Sequence, residues 1–128
     1  MKRLLIAATT IALALTAMRP ADAIISREGK RTIINTTQLA ADVEGFNGTT
    51  PLKIYILNGK IEKIEALQNQ ETPKYFNRVR QQLLQKWNGM TVSKAMKAKI
   101  DGATGATFSS KAVKENVKRG LKYYKEKK

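Results

Sequence analysis

Chemistry-bearing residue types concentrate in one stretch, Asp101-Gly102-Ala103-Thr104-Gly105-Ala106-Thr107-Phe108-Ser109-Ser110. Six consecutive small residues, Gly102 to Thr107, run directly into a segment with helical patterning. Residues without bulk let a backbone approach a large ligand, and the amides at a helix start attract an anion. A phosphate placed there would meet the helix dipole and the hydroxyls of Thr104, Thr107, Ser109 and Ser110. The generic phosphate-loop patterns do not fit: G-x-x-x-x-G-K-[ST] is absent, and Gly102-x-x-Gly105 is not G-x-G-x-x-G. A structural turn ahead of a helix uses the same residue types, so this stretch alone leaves both readings open.

The 128 residues include no cysteine and no histidine. Disulfides, zinc fingers, thiolate iron–sulfur clusters and C-x-x-C-H haem attachment are therefore excluded. Ser–His and Cys–His catalytic couples are excluded as well. Any redox chemistry would have to reside on a bound organic cofactor. Lys and Arg number 24 against 10 Asp and Glu, a formal net charge of +14. Such a balance favours anionic partners: a membrane surface, nucleic acid, polysaccharide or acidic proteins.

The elements that must position this stretch can be read along the chain. Ser26 to Lys30 reads as a loose polar lead-in, and Arg31 to Asn35 as a short β-branched first strand. Leu39 to Val43 predicts one helical turn, and Gly45-Phe46-Asn47-Gly48 a loop. Leu52 to Leu57 and Ile61 to Leu67 flank Asn58-Gly59, a strong hairpin signal. A three-residue loop, Asn58 to Lys60 with Gly59 left-handed, would pair Ile54 with Ile64, Leu52 with Ala66 and Lys53 with Glu65. That register gathers apolar residues on one face and opposes unlike charges on the other. Thr72 as N-cap and Pro73 at the first position open a helix carrying Phe76, Val79, Leu83 and Trp87, which ends at Asn88-Gly89. Thr91 to Lys99 predicts a short helix with Val92, Ala95 and Met96 inward, followed by a brief extended piece at Ile100-Asp101. Ser109 or Ser110 is expected to cap a last helix with Val113, Val117, Leu121 and Tyr124 in one stripe and a lysine-rich tail. Phe76, Trp87 and Tyr55 are expected in the core. Strands followed by helices give an α+β fold: a small antiparallel sheet with a central Asn-Gly hairpin, packed by two or three helices in one domain.

The decapeptide resembles the flavinylation motif D-x-x-[ST]-G-A-T-x-[ST]-[ST] of the FMN-binding domain family, and every defined position is met. That family includes flavin-bearing components of the Na+-translocating NADH:quinone reductase and of Rnf complexes, together with many small exported flavoproteins. Asn69-Gln70-Glu71-Thr72-Pro73 is similar to the family's E-T-P-G segment, with Lys74 where glycine is commoner, and Asn58-Gly59-Lys60-Ile61 looks like its strand pair. The resemblance spans roughly Leu52 to Tyr124.

The resemblance implies covalent FMN, held through a phosphoester on Thr107. A separate FAD:protein FMN transferase, working with a divalent metal, would join the threonine hydroxyl to the FMN moiety of FAD and release AMP. It implies an electron carrier that is not an enzyme in its own right, with no catalytic residue and no resident metal. Asp101 would belong to what the transferase recognises. Thr104, Gly105, Ala106, Phe108, Ser109, Ser110, Glu71 and Thr72 would surround the cofactor, with Phe108 nearest the isoalloxazine. Glu71 and Thr72 fit equally well as N′ and N-cap of the Pro73 helix. The implied partners are the transferase and membrane-bound or extracytoplasmic redox proteins.

Lys2 and Arg3, an uncharged run from Leu4 to Met18, and Ala21-Asp22-Ala23 make up the three parts of a secretory signal peptide, with cleavage expected after Ala23. The expected organisation is thus a signal peptide over residues 1–23, a lead-in and first strand over 24–51, and an FMN-binding domain over 52–128. An exported, periplasmic or extracytoplasmic location makes nucleic acid an unexpected partner and leaves contact with an anionic membrane surface open. It also gives a covalent link a purpose, since a dissociable flavin would be lost by dilution outside the cytoplasm. The rival reading is a cofactor-free cationic exported module that grips an anionic partner through the Gly-Ala-Thr loop and its basic surface.

Overall fold

The structure, a computed structural model, describes residues 23–127. The expected signal peptide lies almost wholly outside them. The elements run β1 (Ile25–Glu28), β2 (Arg31–Asn35), β3 (Leu52–Leu57), β4 (Lys60–Ala66), α1 (Pro73–Gln82), a 3-10 helix (Leu84–Trp87), α2 (Val92–Lys97) and α3 (Thr107–Lys127). The strands pair antiparallel in the order β1-β2-β3-β4, and the helices cover one face. This is the α+β architecture that the order of strands and helices predicts.

The Asn-Gly hairpin solves its register in an instructive way. Leu52 pairs with Ala66, Lys53 with Glu65 and Ile54 with Ile64, as expected. The loop, however, has two residues rather than three: Asn58 (φ 54°) and Gly59 (φ 73°) are both left-handed, and Leu57 pairs with Lys60. The extra residue sits instead as a β-bulge at Glu62, because Ile56 pairs with Ile61 while Tyr55 pairs with Lys63. A bulge puts two residues opposite one and shifts the alternation. Ile61 and Ile64, three apart, can therefore both point inward, where strict period-two alternation would expose one of them.

Three other expectations are corrected. Ser26 to Lys30 is not a loose lead-in: Ile25–Glu28 forms β1, turned back at Gly29 (φ 62°) onto β2. Polar composition hid it because one face of this edge strand meets solvent. Tyr55 is not in the core. It stands on the sheet face away from the helices, with the Lys63 ammonium 4.5 Å from its ring centre. The helix from Pro73 does not run unbroken to Trp87; the α-helix ends at Gln82 and the chain tightens into the 3-10 helix, which keeps Leu84 and Trp87 buried.

The core joins Ile34, Leu52, Ile54 and Ile56 of the sheet to Phe76, Val79 and Leu83 of the first helical segment and to Val113, Val117 and Leu121 of α3. Gly120 brings α3 close to the sheet; a Cβ there would lie 2.6 Å from Ile54 Cδ1. Buried Asn116 fixes the register of that contact. Its amide oxygen accepts from Thr36 Oγ1 at 2.5 Å, while its amide nitrogen donates to Thr50 Oγ1 and to Ala112 O. The exposed edge of β4 is covered in part, since Ile61 exchanges backbone hydrogen bonds with Gly89 and Met90.

Candidate functional site

The decapeptide forms a loop that ends on α3, and three side chains of the first helical segment hold it from outside. Arg78 donates to Thr104 O at 3.2 Å, the Gln82 carbonyl accepts from Thr104 N at 2.9 Å, and Lys86 donates to Asp101 O at 3.0 Å. Arg78 and Gln82, four apart, share one side of α1, and Lys86 joins them from the 3-10 helix, so the three form a rack for the loop backbone. Two glycines let the loop come close. A Cβ on Gly102 would lie 2.8 Å from Ser110 Cβ, and Gly105 is left-handed at φ 76°.

The helix start differs from expectation. α3 begins at Thr107, so neither Ser109 nor Ser110 is its N-cap; both lie in the first turn and are buried. Their hydroxyls serve other backbone and side-chain groups. Ser110 Oγ accepts from Ala103 N at 2.9 Å and closes the loop onto the helix. Ser109 Oγ donates to Glu71 Oε1 at 2.6 Å.

Glu71 is the hub of the site. It is only 5% exposed, and its carboxylate also accepts from the amides of Phe46, at 2.8 Å, and Asn47. One buried carboxylate thus links the 45–48 loop to the first turn of α3. Gly45 is the residue this requires, because a Cβ there would stand 2.1 Å from Glu71 Oε1. Thr72 holds the N-cap position of α1 without capping it through its side chain; its hydroxyl accepts from Asn47 Nδ2 at 3.0 Å. Glu71 and Thr72 thus hold the N′ and N-cap positions ahead of α1, and their side chains engage the 45–48 loop.

These contacts frame a cleft of about 350 Å3 lined by Phe46, Thr72, Tyr75 and the run Gly105 to Ser109. Phe46 and Phe108 are each 62% exposed and lie stacked, with ring centres 6.4 Å apart. Tyr75 carries Lys74 and Arg78 beside its ring, at 5.8 and 5.9 Å. Thr107 is exposed at the first position of α3, inside the cleft lining. Of the residues singled out in the sequence, Thr72, Gly105, Ala106, Thr107, Phe108 and Ser109 line the cleft, and Glu71 supports it from behind. Asp101, Thr104 and Ser110 do not line it. The backbones of Asp101 and Thr104 are held by the rack on the first helical segment, and Ser110 is buried under the loop. Sequence reasoning missed Phe46, Tyr75, Gly45 and the rack. The rack did leave a signal, the spacing of Arg78, Gln82 and Lys86, whereas Phe46 lies far from the motif in sequence.

Small residues, a helix N-terminus and three aromatic side chains define an anion-tolerant cleft for a flat ring. The chain belongs to the FMN-binding domain family, whose family model matches residues 45–122. That span begins at Gly45, so it includes the loop that Glu71 holds. No curated relative and no solved structure matches the chain. FMN fits these residues. Its phosphate suits the start of α3, where the first amides have no partner within the helix, and its ring system suits the Phe46, Tyr75 and Phe108 surfaces.

Proposed function

We propose that this chain is an exported electron-transfer flavoprotein whose FMN is held on Thr107 through a phosphoester. The observation that carries this reading is the setting of Thr107. Its side chain is exposed at the first position of α3, within a cleft whose walls are aromatic and whose supporting groups are buried and hydrogen-bonded. FMN bound there supplies reversible electron storage. The chain supplies position. Glu71 keeps the Phe46 loop against α3, the rack on the first helical segment keeps Gly105 and Ala106 in place, and Lys74 and Arg78 give the Tyr75 side of the cleft a positive field.

Loading falls to a separate FAD:protein FMN transferase: the Thr107 oxygen bonds to the FMN phosphorus of FAD, AMP leaves, and the hydroxyl proton is released. No base of this chain is needed for that step. The chain is accordingly a substrate of the transferase and a carrier between membrane-bound or extracytoplasmic redox proteins. The signal-like start of the sequence supports the exported location.

The test is co-expression with such a transferase, followed by denaturing electrophoresis. Flavin fluorescence should migrate with the wild-type chain and be absent from Thr107→Ala. Fluorescence lost from both on denaturation would mean a dissociable flavin, and flavin retained by Thr107→Ala would place the bond elsewhere.

A further inference from the structure

A second groove lies farther along α3, between that helix, α2 and the segment that follows α2. Its volume is about 530 Å3, and no residue that lines it also lines the aromatic cleft. Trp87, Ala95 and Val117 at its base belong to the buried core, and Met96, Ala98 and Ile100 give it an accessible apolar floor. The walls carry Lys99 on one side and Lys111 and Lys118 on the other, while the Lys114 ammonium spans the groove and donates to Ile100 O at 3.0 Å. Glu115 is the one acidic residue of the lining, and Arg119 engages it at 3.0 Å. Lysines continue beyond the groove. Lys111, Lys114, Lys118, Lys122 and Lys125 recur at intervals of three or four residues, which keeps them in one stripe along α3.

We propose that this groove and stripe form a docking site for an extended acidic segment of a partner protein, one that carries apolar side chains between its carboxylates. The match is one of charge and shape. From Lys111 to Lys125 the stripe runs about 21 Å at helical rise, which about six residues of extended chain would cover. Carboxylates along such a segment meet the lysines while an apolar side chain between them rests on Met96 and Ile100, above Trp87. A flat bilayer would touch the lysines and leave the recessed floor uncovered. The exposed aromatic residues that could enter a membrane, Phe46, Tyr75 and Phe108, belong to the other cleft. Lys111 stands one turn beyond Thr107, so a segment seated here brings its parent protein next to the aromatic cleft. The inference does not depend on the flavin reading, because every group it uses is present without a cofactor.

The probe is a dye-labelled peptide, Glu-Leu-Glu-Leu-Glu-Glu, titrated at low ionic strength into the full chain with and without flavin. Trp87 is the chain's only tryptophan and lies at the base of the groove, so its emission in flavin-free protein reports on the packing beneath the floor. The peptide should bind more tightly than hexaglutamate and shift the Trp87 emission. Lys111→Gln combined with Lys118→Gln should weaken binding about tenfold, while Lys60→Gln combined with Lys63→Gln on the sheet should leave it nearly unchanged. Equal losses from both pairs would reduce the effect to net charge and overturn the proposal. Equal binding of hexaglutamate with no emission change would overturn it too. So would binding to anionic phosphatidylglycerol vesicles, weakened by the Lys111 and Lys118 substitutions, in the absence of peptide binding. Since these substitutions are at exposed positions, circular dichroism should confirm an unaltered fold in each variant.

Discussion

At the scale of single residues, Glu71 and Thr107 divide the work of the site. Glu71 is buried and accepts three hydrogen bonds from two distant segments, the 45–48 loop and Ser109. Hydrogen bonds to a charged group contribute more than neutral ones, and removing the carboxylate strands the donors. Glu71→Ala should therefore lower stability by about 2–3 kcal/mol in denaturant unfolding and release the Phe46 loop. A variant as stable as wild type would mean that the loop holds itself. Thr107 is the opposite case. It is exposed, so Thr107→Ala should change stability by no more than about 0.5 kcal/mol while removing covalent flavin. The sequence made Thr107 conspicuous through the motif around it. It offered Glu71 two roles without choosing between them, because the choice depends on Phe46 and Asn47 arriving from another part of the chain.

At the scale of elements, positions of close approach set the geometry. Gly102 packs against Ser110, and a methyl group there would push the loop off the first turn of α3 and break the Ala103–Ser110 hydrogen bond. Gly102→Ala should thus lower flavin loading by the transferase while the sheet and the rest of the helical layer stay folded, which amide exchange can resolve segment by segment. Normal loading would show that the loop tolerates the displacement. Hairpin pairing was legible because apolar alternation strongly constrains register. The bulge at Glu62 was not, since a three-residue loop and a two-residue loop with a bulge give the same pairs from Leu52 to Ile54. Strand β1 escaped notice for a related reason: a short edge strand needs little apolar patterning.

At the scale of the whole molecule, ion pairs join parts of the chain that are distant in sequence: Arg31 of β2 with Glu62 of β4, and Arg119 of α3 with Asp42. The hydrogen bond from Arg119 holds the Asp42 carboxyl below its usual range, and that from Arg31 does the same for Glu62. A carboxyl whose folded pKa is lowered stabilises the protein above its unfolded pKa, and the contribution is lost as pH falls through the folded value. Thermal stability should therefore decline as pH is lowered below the usual carboxylate range, and Asp42→Asn combined with Glu62→Gln should flatten that decline. An unchanged slope would mean that these pairs do not contribute. The strand-then-helix layout was legible from β2 onward, and so was the motif. The aromatic cleft was not, because Phe46, Tyr75 and Phe108 come together only after the sheet and α3 have packed. The central claim, FMN on Thr107, is tested most directly by the intact mass of the protein co-expressed with an FAD:protein FMN transferase, against a transferase-free control. The account predicts a gain of one FMN less one water, mapped to the peptide containing Thr107. No gain, in cells that load a known flavinylated protein, would contradict it and leave dissociable FMN in the same cleft as the reading to pursue.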